Sequence, residues 1–280
     1  MASLGENQYG KSRVRLSRIM RREGRHDFQE WTVRVLLRGN FENSFTQADN
    51  SCILPTDTMK NTVYSRARDS SSETIEEFAI ELGDYLLETN PQVRSVRVEI
   101  SEKPWQRMIV DGVPEPTTFR LAGTELQTVC ATRSRSEASS LSSGVEGLTV
   151  LKTTKSAFEG YIMDRLTTLK PTSDRILGTS AKAVWEFMSA KPRYALVRYA
   201  VISALMKEFA IHNSMSVQHT LFDMGRAALA AAPEISRITL TMPNLHHLQA
   251  DLKPFGQDNP NHIFVPIDEP HGYIEATIER

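Results

Sequence analysis

One pattern occurs twice in this chain, and it limits the folds open to it more than any other feature. Between residues 73 and 89, Ile75, Phe78, Ala79, Leu82, Tyr85 and Leu86 recur at helical spacing with acidic residues on the opposite face. The run stops at Asn90-Pro91, after which Val96, Val98 and Ile100 alternate as in an antiparallel strand with one buried face. From Val217 the pattern returns: a helical run to Ala231, a stop at Ala232-Pro233, then Ile238, Leu240 and Met242 in alternation. Pro91 and Pro233 lie 142 residues apart. Each half reads strand, strand, helix, helix, strand, strand. The first places strands at 14–20 and 28–37 and helices at 58–67 and 73–88; the second places strands at 147–152 and 183–188 and helices at 193–211 and 217–231.

Helices on one face of antiparallel strands make an α+β layer, so the chain is expected to hold two tandem α+β domains, residues 1–135 and 136–280. The Ser-rich stretch Ser134–Ser143 reads as the exposed connection between them. Each sheet then has unpaired edges, and joining the edges of several subunits into a closed barrel removes them. Self-association is expected on that ground.

Composition narrows the function. With 33 basic and 34 acidic residues the formal charge is −1, so no global field favours a polyanion such as nucleic acid. Cys52 and Cys130 lack a Cys-x-x-Cys spacing and a histidine cluster, which argues against a disulfide framework or thiolate zinc site; both are expected to be buried. Met1–Gly10 lacks a signal-peptide core and no apolar run is long enough to span a bilayer, giving the expectation of a soluble, cytoplasmic protein.

Several polar residues stand out. In Leu54-Pro-Thr-Asp-Thr-Met-Lys-Asn-Thr-Val-Tyr64, Thr56 or Asp57 is placed to cap a helix start. His246 and His247 are adjacent in a strand-like segment, so their side chains point to opposite faces and only one can enter a given site. The other histidines, 26, 212, 219, 262 and 271, are dispersed in the sequence. Taken singly, Lys11 reads as a solvated lysine, Phe158 as core, Arg175 as a loop ion-pair residue and Gln218 as a helix-start polar residue.

Taken together, Tyr9-Gly-Lys11, Ala48-Asp-Asn-Ser51, Thr56-Asp-Thr-Met-Lys-Asn-Thr62, Gly147–Lys152, Thr167-Thr-Leu169, Asp174-Arg-Ile-Leu177, Ser216-Val-Gln218, Pro243-Asn244 with His246, and Gly272–Thr277 resemble the urate oxidase family, in order along nearly the whole chain. The resemblance implies the tunnelling fold: two domains of four antiparallel strands and two helices, assembled as a homotetramer around a β-barrel tunnel. It implies oxidation of urate by dioxygen to 5-hydroxyisourate and hydrogen peroxide with no metal or organic cofactor. It also implies an active site at a dimer interface, with Lys11, Thr56 and Asp57 from one subunit and Phe158, Arg175, Val217, Gln218, Asn244 and His246 from its neighbour. Lys11, Thr56 and His246 are the implied catalytic residues, and Thr56, Asp57, Phe158, Arg175, Val217, Gln218 and Asn244 the implied substrate-binding ones.

Each implied role has a physical basis. Urate is flat, anionic and rich in carbonyl and N–H groups. Arg175 offers a charged fork, Gln218 both a donor and an acceptor, Phe158 a stacking surface, and the backbone N–H groups of Asp57 and Val217 lie at helix starts. Leu245 stands where the family commonly has lysine. Strand alternation turns it away from Asn244 and His246 and predicts altered surface charge, whereas a register shift there would displace both neighbours. The alternatives are a noncatalytic purine-binding protein, which retention of Lys11, Thr56 and His246 argues against, and a pterin-handling enzyme of the same fold, whose Cys/His metal set is missing.

Overall fold

The computed structural model describes residues 2–188 and 192–280 and divides into two compact units, Met1–Gly144 and Val145–Arg280. The first unit contains β1 (Tyr9–Arg22), β2 (Arg25–Gly39), α1 (Glu42–Thr46), α2 (Thr56–Asp69), α3 (Ile75–Thr89), β3 (Val93–Glu102), a hairpin of β4 (Trp105–Val110) and β5 (Val113–Leu121), and β6 (Leu126–Ser134). Its main sheet is antiparallel in the order β1–β2–β3–β6. Alternation decides what each strand buries. Trp31, Val33, Val35 and Leu37 of β2, with Val96, Val98 and Ile100 of β3, face Met59 and Val63 of α2 and Phe78, Ala79, Leu82 and Leu86 of α3. Trp31 stacks on Phe78 with centroids 4.9 Å apart and donates its indole N–H to Glu102 at 2.9 Å, so its polar edge is satisfied while its ring fills the core.

The second unit contains most of β7 (Ser140–Lys152), then β8 (Leu177–Phe187), α4 (Tyr194–Ile211), α5 (Val217–Ala231), β9 (Ile235–Thr241), β10 (Asn244–Gln249), β11 (Phe264–Gly272) and β12 (Glu275–Glu279). β9 and β10 lie along the same edge of β8 without losing register: Thr241 faces Lys182, and Asn244 faces Thr179. Met242-Pro243 interrupts the ladder, since proline has no N–H to give it. β12 and β11 flank β9 and β10 in the same way, so two broken strands complete a second four-stranded antiparallel layer beside β7 and β8. Trp185 of β8 and Ile238 and Leu240 of β9 pack with Val201 and Leu205 of α4 and Leu221 and Met224 of α5.

The duplication is kept residue for residue where it was read. α3 and α5 start at Ile75 and Val217, end at Thr89 and Ala231, and lead to strands starting at Val93 and Ile235, all at the 142-residue offset. Two expectations need correction. Ser134–Ser143 is not wholly an exposed connection: β7 begins at Ser140, and Ser143 is buried, donating its hydroxyl to Glu76 of α3 at 2.7 Å. A buried carboxylate needs donors, and that need draws the serine inward. Neither cysteine is fully buried: Cys52 is exposed in the turn before α2, and Cys130 is half-buried on β6.

Candidate active site

Lys11 lies on β1 immediately before a bulge, where the pairing with β2 shifts between Lys11 and Val14 and Arg13 takes a φ of 58°. Gly10 before it permits close strand approach, because a Cβ there would fall 1.9 Å from the Val35 carbonyl oxygen. Tyr9, on the same strand face as Lys11, ties β1 to the segment leading into α2. Its hydroxyl accepts from the Leu54 N–H at 2.9 Å and donates to the Leu54 carbonyl at 3.2 Å, and its ring meets Phe41 edge-on at 4.7 Å.

Thr56 and Asp57 are the first two residues of α2, but neither caps it, which corrects the expectation. Pro55 occupies the cap position at φ −56° and ψ 138°, with no side-chain capping bond. The first-turn N–H groups and the Thr56 hydroxyl are thus not used on one another. Asp57 is held below the ordinary carboxylate range, first by Lys60 and then by the Asn61 amide and the charge of Lys11, which places the Lys11 charge within electrostatic reach of the helix start.

In the second unit the loop between β7 and β8 carries Phe158 and Arg175. Thr154 donates to Asp174 at 2.7 Å and the Ser156 N–H donates to it at 3.3 Å, which fixes the residue before Arg175. Phe158 forms a two-bond bridge with Thr172, at 2.8 and 3.1 Å, and packs parallel to Tyr161 at 4.8 Å. The Arg175 guanidinium carbon sits 5.1 Å from the Phe158 centroid, while Arg175 Nε is buried with no hydrogen-bond partner among the described residues. Burial pushes the Arg175 pKa down. A partly desolvated cation with a free donor against an aromatic ring suits a flat anion.

The same loop is pinned to the α4–α5 turn: Ala157 N–H donates to Ser214 at 2.7 Å, and Ser214 N–H donates to Lys155 at 2.9 Å. Two residues later, Ser216 caps α5 by accepting from the His219 N–H at 3.1 Å. Val217 and Gln218 therefore open the helix with N–H groups that the helix cannot pair. Val217 is buried in the core and Gln218 is exposed.

Asn244 and His246 project to one side of β10, their Nδ2 and Nδ1 atoms 3.4 Å apart. His247 turns the other way, towards Gly178, as alternation predicts. A register shift does fall between Asn244 and His246: Asn244 faces Gly272 but His246 faces Ile267. The extra residues lie on β11, so β10 keeps its alternation and the two side chains stay together. Burial, then the charge of Arg175, then His271 lower the His246 pKa, which favours neutral imidazole and ties His246 electrostatically to Arg175.

Of the nine residues singled out, Lys11, Thr56 and Asp57 thus belong to the first unit and the other six to the second. Sequence reading missed Tyr9 as a tether, Tyr161 beside Phe158, and His271 beside His246. Tyr161 lies in an irregular loop with no periodicity, whereas Tyr9 stood in view within Tyr9-Gly-Lys11. Histidines dispersed in the sequence are not all dispersed in space: the α4–α5 turn brings the rings of His212 and His219 to 4.5 Å.

Two four-stranded antiparallel layers, each covered by helices, with a cation set over an aromatic ring in the second unit, are those of a tandem tunnelling-fold protein. The chain belongs to the uricase family, whose model matches residues 7–132 and 141–275. It is 42% identical to the uricase of Arthrobacter globiformis over 277 residues, covering 99% of this chain and 90% of that protein. It is 40% identical to uricase-2 of Phaseolus vulgaris over 295 residues, covering 98% and 95%. The crystal structure of the Arthrobacter globiformis uricase superposes with a TM-score of 0.94 at 41% identity, covering 100% of this chain and 96% of that one.

Proposed function

We propose that this chain oxidises urate with dioxygen and water to 5-hydroxyisourate and hydrogen peroxide. Family membership supports the reaction, and the observation that carries it to these residues is Arg175: a half-buried cation over Phe158 whose Nε is buried with no partner among the described residues. In this reading the Arg175 fork and the Gln218 amide hold the purine edge, Phe158 stacks on its face, and the backbone N–H groups of Asp57 and Val217 meet remaining acceptors.

Lys11 and Thr56 remove a proton from bound urate, because the more electron-rich dianion gives up electrons to oxygen more readily. His246 extends the proton relay, and Asn244 with Thr56 positions oxygen and then water over the ring. No cofactor is assigned to the reaction. The site is completed between subunits of a homotetramer, Lys11, Thr56 and Asp57 of one meeting the other six residues of a neighbour. Exposed Leu196, Tyr199 and Met206 on α4, a helix whose opposite face is already in the core, support burial against another chain. No described helix is long and apolar enough to cross a membrane, and we place the protein in the cytoplasm.

The test is an oxygen electrode with chelator-treated protein. Urate and oxygen are expected to disappear in equal amounts, and Lys11→Met should lose turnover while still binding a urate analogue. Absence of oxygen uptake refutes the activity, and loss of activity to chelator refutes the cofactor-free reaction. Mixed oligomers of Lys11→Met and Arg175→Ala protomers should regain partial activity; verified mixtures that stay inactive refute the shared site.

A further inference from the structure

We propose that His212, His219 and Asp223 form a binding site for a divalent cation of the zinc type at the turn between α4 and α5. His212 follows the last residue of α4, while His219 and Asp223 lie one turn apart on α5, so the antiparallel turn of the two helices brings the three together. Their ligand atoms all fall within 4.8 Å of one another. His212 Nδ1 and His219 Nε2 each lie 3.3 Å from the same oxygen, Asp223 Oδ2. Zinc bonds to imidazole and carboxylate are about 2.0–2.2 Å long, and a tetrahedron with such bonds has edges of roughly 3.3–3.6 Å. Two of the three ligand separations therefore already match a common metal centre.

The surroundings favour this use. Arg226 holds the other carboxylate oxygen, Oδ1, at 2.8 Å and so turns Oδ2 towards the histidines, which is the orienting role that outer groups play around metal ligands. Glu208 Oε1 lies 3.7 Å from His212 Nδ1, near enough to supply a fourth oxygen directly or through water. The Lys152 ammonium is engaged by the His212 carbonyl. The His212 and Asp223 side chains are only 8% and 13% exposed, whereas His219 is 45% exposed, so the site is built on packed residues and open on one side to solution. Two imidazole nitrogens with a carboxylate suit zinc, cobalt, nickel or copper, not magnesium or calcium, which take all-oxygen shells. A bound ion would staple the end of α4 to the first two turns of α5 and so clamp the segment that presents Val217 and Gln218.

The competing arrangement is two N–H donors sharing Asp223, and cobalt(II) separates the two. Titration of the chelator-treated full chain with cobalt(II) is expected to saturate at one ion per chain and give the intense visible bands of four-coordinate cobalt. His219→Ala, a change at a half-exposed side chain, should weaken binding at least tenfold; His262→Ala, an exposed histidine elsewhere, should not. Zinc should raise the unfolding midpoint of the wild type and of His262→Ala, but not of His219→Ala. Absence of saturable binding, a purely six-coordinate spectrum, or equal titrations for wild type and His219→Ala would overturn the site. None of these readouts depends on turnover of urate.

Discussion

Replacing Arg175 with methionine separates binding from folding, because the two should move independently. The guanidinium is partly desolvated and its Nε has no partner among the described residues, a cost of about 1–3 kcal/mol for an unsatisfied buried group. Against this stands the contact with Phe158 at 5.1 Å, worth about 0.5–1 kcal/mol. Methionine fills similar space without a charge. Folding stability should therefore hold or rise, and the unfolding midpoint should fall by no more than about 2 °C. Binding should suffer, since a charge-assisted hydrogen bond to an anionic ligand contributes about 1.5–3 kcal/mol. Loss of one to two such bonds, about 3 kcal/mol, is roughly a hundredfold in Kd for a urate analogue, measured by calorimetry. A third readout follows from the depression of His246 by Arg175: in Arg175→Met the His246 pKa, followed by proton NMR, should move up towards its ordinary value. Affinity changed by less than threefold, or a midpoint lowered by several degrees, would make Arg175 a structural residue and refute the reasoning.

Tyr9→Phe deletes both hydrogen bonds to Leu54, worth about 1 kcal/mol each. It should lower kcat more than it weakens analogue binding, because Lys11 and the start of α2 lose their tether; equal losses would contradict that role. Ser216→Ala removes the α5 cap, costing about 1 kcal/mol of stability, and should raise KM for urate by loosening Val217 and Gln218. An unchanged KM would dissociate α5 from substrate binding. For His246 the folded pKa lies below its unfolded value of about 6.5. Its contribution to stability is therefore complete above that value and is lost as pH falls through the folded pKa. Denaturant midpoints at pH 5 and 7 should differ more for the wild type than for His246→Gln; equal differences would show that His246 is not depressed.

The layers were legible because burial imposes a period. Val96, Val98 and Ile100 alternate, and α3 repeats its apolar residues every three or four positions; both patterns survive in the structure. The broken strand at Met242-Pro243 and the inserted residues of β11 leave no such period, since register depends on pairing with a distant strand. The β4–β5 hairpin has no clear sequence period for a related reason: most of it is exposed and buries no continuous face. At the site, motif resemblance supplies residue identities, but not that Pro55 relieves Thr56 of capping, nor that Arg175 Nε has no partner among the described residues.

The duplication also explains why the two halves differ in chemistry. Thr74 and Glu77 close the start of α3 from both sides: the threonine hydroxyl accepts from the Glu77 N–H at 3.3 Å, and the glutamate accepts from the Thr74 N–H at 3.0 Å. At the same offset, α5 has Ser216 and His219. The serine arm is kept, but no carboxylate remains to fold back over the helix start. A glutamate there would satisfy the backbone by itself and set a negative charge beside Gln218, repelling an anionic ligand. With histidine in its place, the first turn of α5 keeps its positive end open, and the imidazole turns instead to Asp223. The same position of the repeated helix thus closes the start of α3 with a reciprocal cap and leaves the start of α5 capped from one side only.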